Sequence, residues 1–292
     1  MSEFSGKRVH LMGIGGSGVS ALVPLLQARG ALISGCDSAA SATTRRLIAS
    51  GVPVAIGHHG SHVGEADLVI HTAAIADDHP ELAAARAAGI RVLGRGACLV
   101  ALMAQTPTIA ISGSHGKTST TWFIGHLLAE SAADPVVMVG GAVGALGGGG
   151  ARIGQGRWFV AEVDESDGSF AGVHPTIAVV TNLDHEHLRH YGSFANLESA
   201  FNRWLRRLPA DGLAVVPYGD FSDRVTAGLA APVLRVGLEA GDCHAVDLVL
   251  GADGSRCRVV LHDRDLGELC VPIPGAHMVT NALMAVAAAR FA

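Results

Sequence analysis

The chain has 292 residues and 29.8 kDa, long enough for two domains of ordinary size. With 49% hydrophobic and only 16% charged residues it is not a disordered chain or a charged interaction tail, and a large buried core is expected. A net charge of −5 gives no reason to expect the broad positive field that nucleic acid or an anionic membrane surface would need.

Along the first third, an apolar run from Arg8 to Met12, a glycine loop, a helical stretch to Arg29 and a second apolar run from Ala31 to Cys36 alternate in the βαβ manner of a parallel sheet. Pro24 should kink or shorten the first helix, because proline lacks the amide proton and crowds the preceding turn. A polar helix is expected over Thr43 to Ser50. The runs Asp67 to Ile70 and Arg91 to Leu93 bracket an Ala-rich helix from His79 to Ala88 that ends at Gly89. The pattern breaks at Ala104-Gln105-Thr106-Pro107, which sets the expected domains at 1–105 and 106–292.

In the second part, Thr108 to Ile111 runs into another glycine loop and helix. Pro135 to Val139, a glycine-rich flexible stretch from Gly140 to Gly156, Trp158 to Val163 and Thr176 to Val180 follow. Shorter strands and turns fill Leu213 to Val271, and Asn281 to Arg290 closes as a helix. The fold class expected is α/β, a Rossmann-like parallel-sheet domain followed by a P-loop ATPase-type α/β domain.

The five cysteines are widely spaced, with no Cys-x-x-Cys pair, and read as free thiols of a reducing compartment. The stretch from Lys7 to Leu26 carries glycines where a leader's apolar core would sit, and no apolar run of about 20 residues exists to span a membrane. A cytoplasmic location is the expectation.

Two loops carry most of the chemistry. Gly13-Ile14-Gly15-Gly16-Ser17-Gly18 fits G-x-G-x-x-G between a strand and a helix, where backbone amides face a diphosphate, and Asp37 ends the next strand, placed to accept hydrogen bonds from a ribose. Gly113-Ser114-His115-Gly116-Lys117-Thr118 is a short P-loop variant, with Ile111 where the full pattern has its first glycine. Its amides wrap phosphate oxygens, Lys117 neutralises a transferred phosphoryl group, and the Thr118 hydroxyl is suited to ligate Mg²⁺.

The strand end at 162–167 puts Glu162, Asp164, Glu165 and Asp167 within six residues, a density that calls for either solvent or a cation. Period-two alternation sets Glu162 and Asp164 on one face and Glu165 elsewhere. Thr181-Asn182-Leu183-Asp184-His185-Glu186-His187 ends the next strand, and beside the acidic strand end a Mg²⁺ or phosphate role is more economical than a zinc site. His58, His59 and His62 cluster in a Gly-rich loop and are expected as surface residues.

His10 to Ser20, Ser112 to Thr121, Ala161 to Phe170, Thr181 to His187 and Gly275 to Asn281 each resemble, in the right order, a motif of the Mur ligase family. The similarity is strongest to members that join L-alanine to UDP-N-acetylmuramate. It implies an ATP-dependent amide ligase of peptidoglycan synthesis that works through an acyl phosphate, with Gly15, Gly16, Ser17 and Gly18, and Asp37 near them, holding the UDP-sugar. Gly113 to Thr118 with Ser119 would hold ATP, Lys117 meeting the β and γ phosphates. Thr118 and Glu162 would bind one Mg²⁺, His187 a second, and Asn281 would meet the adenine. Lys117, Glu162 and His187 are thus the implied catalytic residues.

Three departures stand out. Met278 replaces an asparagine of the family's Gly-x-His-Asn-x-x-Asn pattern, Gly94-Arg95-Gly96-Ala97-Cys98 replaces its usual Arg-Ala-Glu, and the chain stops at Ala292, where family members continue into an amino-acid-binding third domain. The resulting expectation is a chain that binds UDP-N-acetylmuramate but turns over weakly. The alternatives are a ligase that adds a preformed tripeptide to the same sugar nucleotide, a non-catalytic UDP-sugar-binding remnant, and a nicotinamide-dependent dehydrogenase that would leave Lys117, Glu162 and His187 without a role. Oligomeric state and amino-acid specificity are not encoded in these motifs.

Overall fold

The computed structural model describes residues 2–146, 149–166, 168–185 and 188–292. The chain divides into two compact units, Met1–Leu102 with Met138–Ile153, and Met103–Val137 with Gly154–Ala292.

The first unit contains β1 (Arg8–Met12), α1 (Ser17–Ser20), α2 (Leu22–Ala28), β2 (Leu32–Asp37), α3 (Ala42–Ala49), β3 (Val54–Ile56), β4 (Leu68–His71), α4 (Pro80–Ala87), β5 (Arg91–Gly94) and α5 (Arg95–Met103). Its five strands are ordered β3-β2-β1-β4-β5 and all pair in parallel, with Arg8 opposite Leu32 and Val9 opposite Leu68. The order reverses at β1, so the crevice at the carboxyl ends of β1 and β4 is where such a sheet receives a ligand. Val9, Leu11, Met12, Val69 and Ile70 are buried in the central strands, as expected of a parallel sheet covered on both faces. The helix after the first loop breaks between Ser20 and Leu22, and Pro24, lacking an amide proton and crowding the carbonyl four residues back, accounts for the break there.

The second unit runs through β6 (Thr108–Ser112) and α6 (Lys117–Glu130) into β7 (Val136–Val143), and after β8 (Gly149–Arg152) resumes with β9 (Phe159–Glu162), β10 (Ile177–Val180), α7 (Leu188–Tyr191), α8 (Phe194–Leu205), β11 (Leu213–Pro217) and α9 (Asp220–Val225). It ends with β12 (Val233–Val236), β13 (Cys243–Gly251), β14 (Gly254–Leu261), β15 (Arg264–Val271) and α10 (Ala276–Phe291). Its strand order is β15-β14-β13-β12-β11-β10-β6-β9; β6 pairs in parallel with both β9 and β10, while β13 to β15 form an antiparallel meander. All five residues of β6 are buried, Thr108 and Ser112 included, which marks it as the central strand. On α8, Phe201 and Trp204 face Phe170 at ring distances of 4.8 and 5.3 Å, an arrangement worth roughly 0.5–1.5 kcal/mol per pair beyond area burial.

Two expectations need correction. Met138–Ile153, expected in the second domain as the end of an apolar run and, from Gly140, a flexible stretch, groups with the first unit and carries β8, which lies against α1 and α2. A Cβ on Gly150 would stand 2.8 Å from the Ala21 Cβ, so only glycine lets the strand come down onto this helix pair. Gly147 and Gly148 of that glycine-rich stretch lie outside the described residues. The closing helix also starts earlier than expected, at Ala276 rather than Asn281. Among the described residues, no helix is long and apolar enough to cross a membrane.

Candidate functional site

The P-loop of the second unit is held by the end of β10. Gly113, at φ +134°, leaves no room for a side chain, since a Cβ there would stand 2.3 Å from Thr181 Oγ1 and 2.6 Å from the Asn182 carbonyl. The Asn182 side chain clamps His115 from both sides, accepting its N–H at 2.9 Å and donating to its carbonyl at 3.0 Å, and the Thr181 hydroxyl donates to that same carbonyl at 2.6 Å. Ser114 Oγ accepts the Asp184 N–H at 2.9 Å. The loop conformation is therefore built in before any phosphate arrives. Gly116, at φ +79°, caps α6, and with no side-chain cap the first amides of this helix face outward as anion donors.

Lys117 and Thr118 each meet a carboxylate. Thr118 Oγ1 donates to Glu162 Oε2 at 2.8 Å, joining the loop to the end of β9. Lys117 Nζ lies 3.0 Å from Glu165 Oε1 and also donates to the Gly113 carbonyl. Glu165 is only 1% exposed, and its second oxygen accepts from Ser112 Oγ at 3.3 Å. Removing one partner of a buried ion pair of this kind is strongly destabilising, because the other charge is left without compensation.

The strand-end carboxylates are thus divided differently from the alternation argument. β9 ends at Glu162, so the period-two rule does not extend to Asp164 and Glu165, which lie in the turn beyond it. Glu165, which sequence reasoning did not assign, carries the lysine; its turn position has no periodic signal, and only the neighbouring β6 end could reveal it. Asp164 accepts the Ser166 N–H at 2.9 Å. Asp167, Glu186 and His187 lie outside the described residues.

Ser119 is half-buried in the first turn of α6. Asn281 is 6% exposed and packs against the loop, its side-chain oxygen 2.7 Å from where a Gly116 Cβ would be. Met278, in place of the family asparagine, is buried in an apolar cluster with Val271, Ala282, Phe123 and Leu269. It packs rather than hydrogen-bonds, apart from a 3.9 Å contact of its sulfur with Asn281 Nδ2.

In the first unit, Gly13 turns at φ +74° and Gly15 donates its N–H to Asp37 Oδ2 at 2.8 Å. The other Asp37 oxygen accepts the Ala39 N–H at 3.3 Å. Asp37 therefore closes the glycine loop directly, beyond the ribose contact expected of it. Gly13 and Ile14 both donate to the Cys36 carbonyl, at 2.9 and 3.1 Å. Gly16 and Ser17 are exposed, and the Arg95 side chain passes over Gly18, within 3.0 Å of a Cβ position.

The oxygen pair of Thr118 and Glu162 matches the hard donors that Mg²⁺ selects, and the lysine beside them suits a polyphosphate, so the donor chemistry fits a metal–nucleotide complex.

Comparison with known proteins shows the family. Residues 8–107 match the model of the Mur ligase family, catalytic domain, and residues 111–289 match the Mur ligase middle domain. The chain is 40% identical over 295 residues to a UDP-N-acetylmuramate--L-alanine ligase of Symbiobacterium thermophilum, covering 98% of this chain and 61% of that protein. It is 41% identical to one of Bordetella petrii, with 97% and 62% coverage. Among solved structures, the UDP-N-acetylmuramate-alanine ligase of Thermotoga maritima superposes with a TM-score of 0.86 at 27% identity, over 96% of this chain and 64% of that one. The UDP-N-acetylmuramate:L-alanyl-gamma-D-glutamyl-meso-diaminopimelate ligase of Neisseria meningitides gives 0.87 at 25%, over 98% and 93%. The chain spans about three fifths of the length of the curated relatives it matches. With both family models matched in order over most of its length, this chain belongs to the Mur ligase family.

Proposed function

We propose that this chain supplies the UDP-sugar-binding and ATP-binding parts of a cytoplasmic ligase that joins L-alanine to UDP-N-acetylmuramate. The observation that carries the reading is the joint attachment of Lys117 to Glu165 and of Thr118 to Glu162 on a short P-loop, in a chain 40% identical to such ligases.

A carboxylate is a poor electrophile, so the reaction needs it converted to an acyl phosphate before an amine attacks. Glu165 holds the Lys117 ammonium over the loop carbonyls, from which it turns to the β and γ phosphates as they displace those carbonyls. The amides of Gly113 to Thr118 orient the phosphates for in-line transfer. Thr118 and Glu162 would hold Mg²⁺, which when bound offsets the charge of the transferred group. Ser119 and Asn281 complete the nucleotide pocket, Asn281 by packing under Gly116 and presenting an amide toward the base. In the first unit Gly15, Gly16, Ser17 and Gly18 take the uridine diphosphate, with Asp37 holding the loop closed. His187 is assigned to a second Mg²⁺ by family resemblance. The alanine amine then attacks the acyl phosphate and phosphate leaves, with no covalent enzyme intermediate.

Calorimetric titration of the chain with UDP-N-acetylmuramate, with ATP and Mg²⁺, and with NADH tests this reading. Saturable binding of the first two and silence of the third is expected; NADH binding alone would overturn it. A second reading, addition of a preformed tripeptide to the same sugar nucleotide, is favoured by the likeness to the Neisseria meningitides structure. ADP release that depends on L-alanine rather than on the tripeptide separates the two.

A further inference from the structure

Away from both glycine loops, the first unit gathers a second polar cluster. Glu81, in the first turn of α4, is fully buried. Its Oε1 accepts the His59 N–H at 2.7 Å and lies 2.8 Å from His62 Nδ1. Its Oε2 lies 3.0 Å from His58 Nδ1 and 3.3 Å from Cys36 Sγ, and that sulfur is 3.4 Å from His58 Nδ1. His58 and His59 are exposed residues, as expected, and His62 is half-buried, while the His58 and His62 side chains turn inward and are only 23% and 24% exposed. Parallel pairing of β2 with β3 places Cys36 opposite Ala55, which delivers the loop after β3 to the sulfur, and α4 adds the carboxylate from the other side.

Three features point to an ion. Bonds of about 2.0–2.3 Å at tetrahedral angles put ligand atoms roughly 3.3–3.6 Å apart, and the Cys36, His58 and Glu81 atoms form a triangle of 3.0–3.4 Å. The ligand atoms of Cys36, His62 and Glu81 all lie within 4.8 Å of one another, and those of His58, His79 and Glu81 form a second such group sharing the same carboxylate. Sulfur and imidazole beside one carboxylate is a donor set for zinc and its neighbours, not for magnesium or calcium. Independently, His10, 2% exposed and with its ring centroid 6.4 Å from that of His62, has a buried Nε2 with no hydrogen-bond partner, although its Nδ1 meets Ser34. An orphaned buried nitrogen at the margin of such a cluster calls for a bound ion or the water on it.

We propose that Cys36, His58, His62 and Glu81 bind one divalent ion of the zinc class, tying the loop after β3 and the start of α4 to the end of β2. Binding releases the Cys36 thiol proton to solvent and leaves both imidazoles neutral. Because the Cys36 carbonyl anchors Gly13 and Ile14, the ion also stiffens the base of the first glycine loop.

The test is Co²⁺ titration of the chelator-treated chain, followed by displacement with Zn²⁺. One equivalent of Co²⁺ is expected, with tetrahedral d–d bands and a thiolate-to-metal charge-transfer band that disappears in Cys36→Ser and persists in Cys270→Ala, the exposed cysteine. Saturating Zn²⁺, at about a hundredfold over its Kd, should raise Tm by roughly 5–10 °C in the parent chain and not in His62→Asn. His62 is part-exposed, so His62→Asn retains the fold, which circular dichroism without metal checks. No stoichiometric uptake, or uptake unaltered by both Cys36→Ser and His62→Asn, would show that Glu81 is a carboxylate satisfied by hydrogen bonds alone and overturn the proposal.

Discussion

In the first glycine loop the Gly15 amide is closed by one carboxylate, Asp37, and Gly13 and Ile14 donate to the Cys36 carbonyl; in the second, an ammonium and a hydroxyl are each tied to a carboxylate at the end of β9 or just past it. Both loops follow a strand and open a helix, so their backbone chemistry is the same. What differs is how side chains are tied around the amides. The first is closed by Asp37 with the Arg95 side chain lying over Gly18, which suits a diphosphate that is held and not transferred. The second carries a lysine pre-set by a buried glutamate, which suits a phosphate whose charge must be stabilised during transfer. A glycine motif alone identifies a place for phosphate; the side chains around it decide what happens to that phosphate.

Substitutions sharpen this contrast, beginning with the largest effect. Gly113→Ala should abolish ATP binding in calorimetry, since the new methyl meets Thr181 and the Asn182 carbonyl inside 3 Å at a φ of +134°. Gly16→Ala in the first loop, at φ −70° with its nearest contact at 3.3 Å, should cost the sugar nucleotide less than about 1 kcal/mol. Equal losses at the two positions would erase the difference between the loops.

Acid stability comes next. Burial above all, with His62 and His58 adding to it and Glu81 opposing, holds His10 down to about 4. Between about pH 6.5 and pH 4 the unfolded chain takes up a proton at this residue that the folded chain refuses, so stability falls as pH drops through that window, by up to about 3 kcal/mol. Denaturant midpoints of the metal-free chain at pH 7 and pH 4.5 should differ more than those of His10→Gln, and the second loop's ATP affinity should not track the change.

Lys117→Ala should lower Tm by leaving the buried Glu165 uncompensated, and in the folded chain should weaken ATP binding roughly 10- to 100-fold, the worth of a charge-assisted phosphate contact, with sugar-nucleotide affinity untouched. Loss of both ligands would mean the two loops are not independent. Asp37→Asn should be the mildest, lowering sugar-nucleotide affinity by about tenfold or less, because an amide oxygen still accepts the Gly15 N–H.

Much of the framework was legible in the chain. The strands β1, β4, β6 and β10 appear within a residue or two of their apolar runs, because a parallel strand buried on both faces leaves a continuous apolar signature. Pro24, Gly113 and Gly116 act through their own backbone, so their effects are readable where they stand. Helix α8, by contrast, drew no sequence expectation, and β8 was hidden in a glycine-rich stretch that could be read only as flexible. Glu165 escaped assignment because it lies in a turn three residues past a strand end, where neither period of two nor a motif applies.

The order of elements, both glycine loops, Lys117, Thr118 and the acidic end of β9 were determined by residues within a few positions of one another, the range over which propensity and periodicity operate. Tertiary structure decided which carboxylate takes Lys117, that Asp37 closes its own loop, that Met278 packs instead of bonding, and that Cys36, His58, His62 and Glu81 converge. Those partners come from different strands and helices, and crossover connections bring them into hydrogen-bond range only when the parallel sheets are assembled.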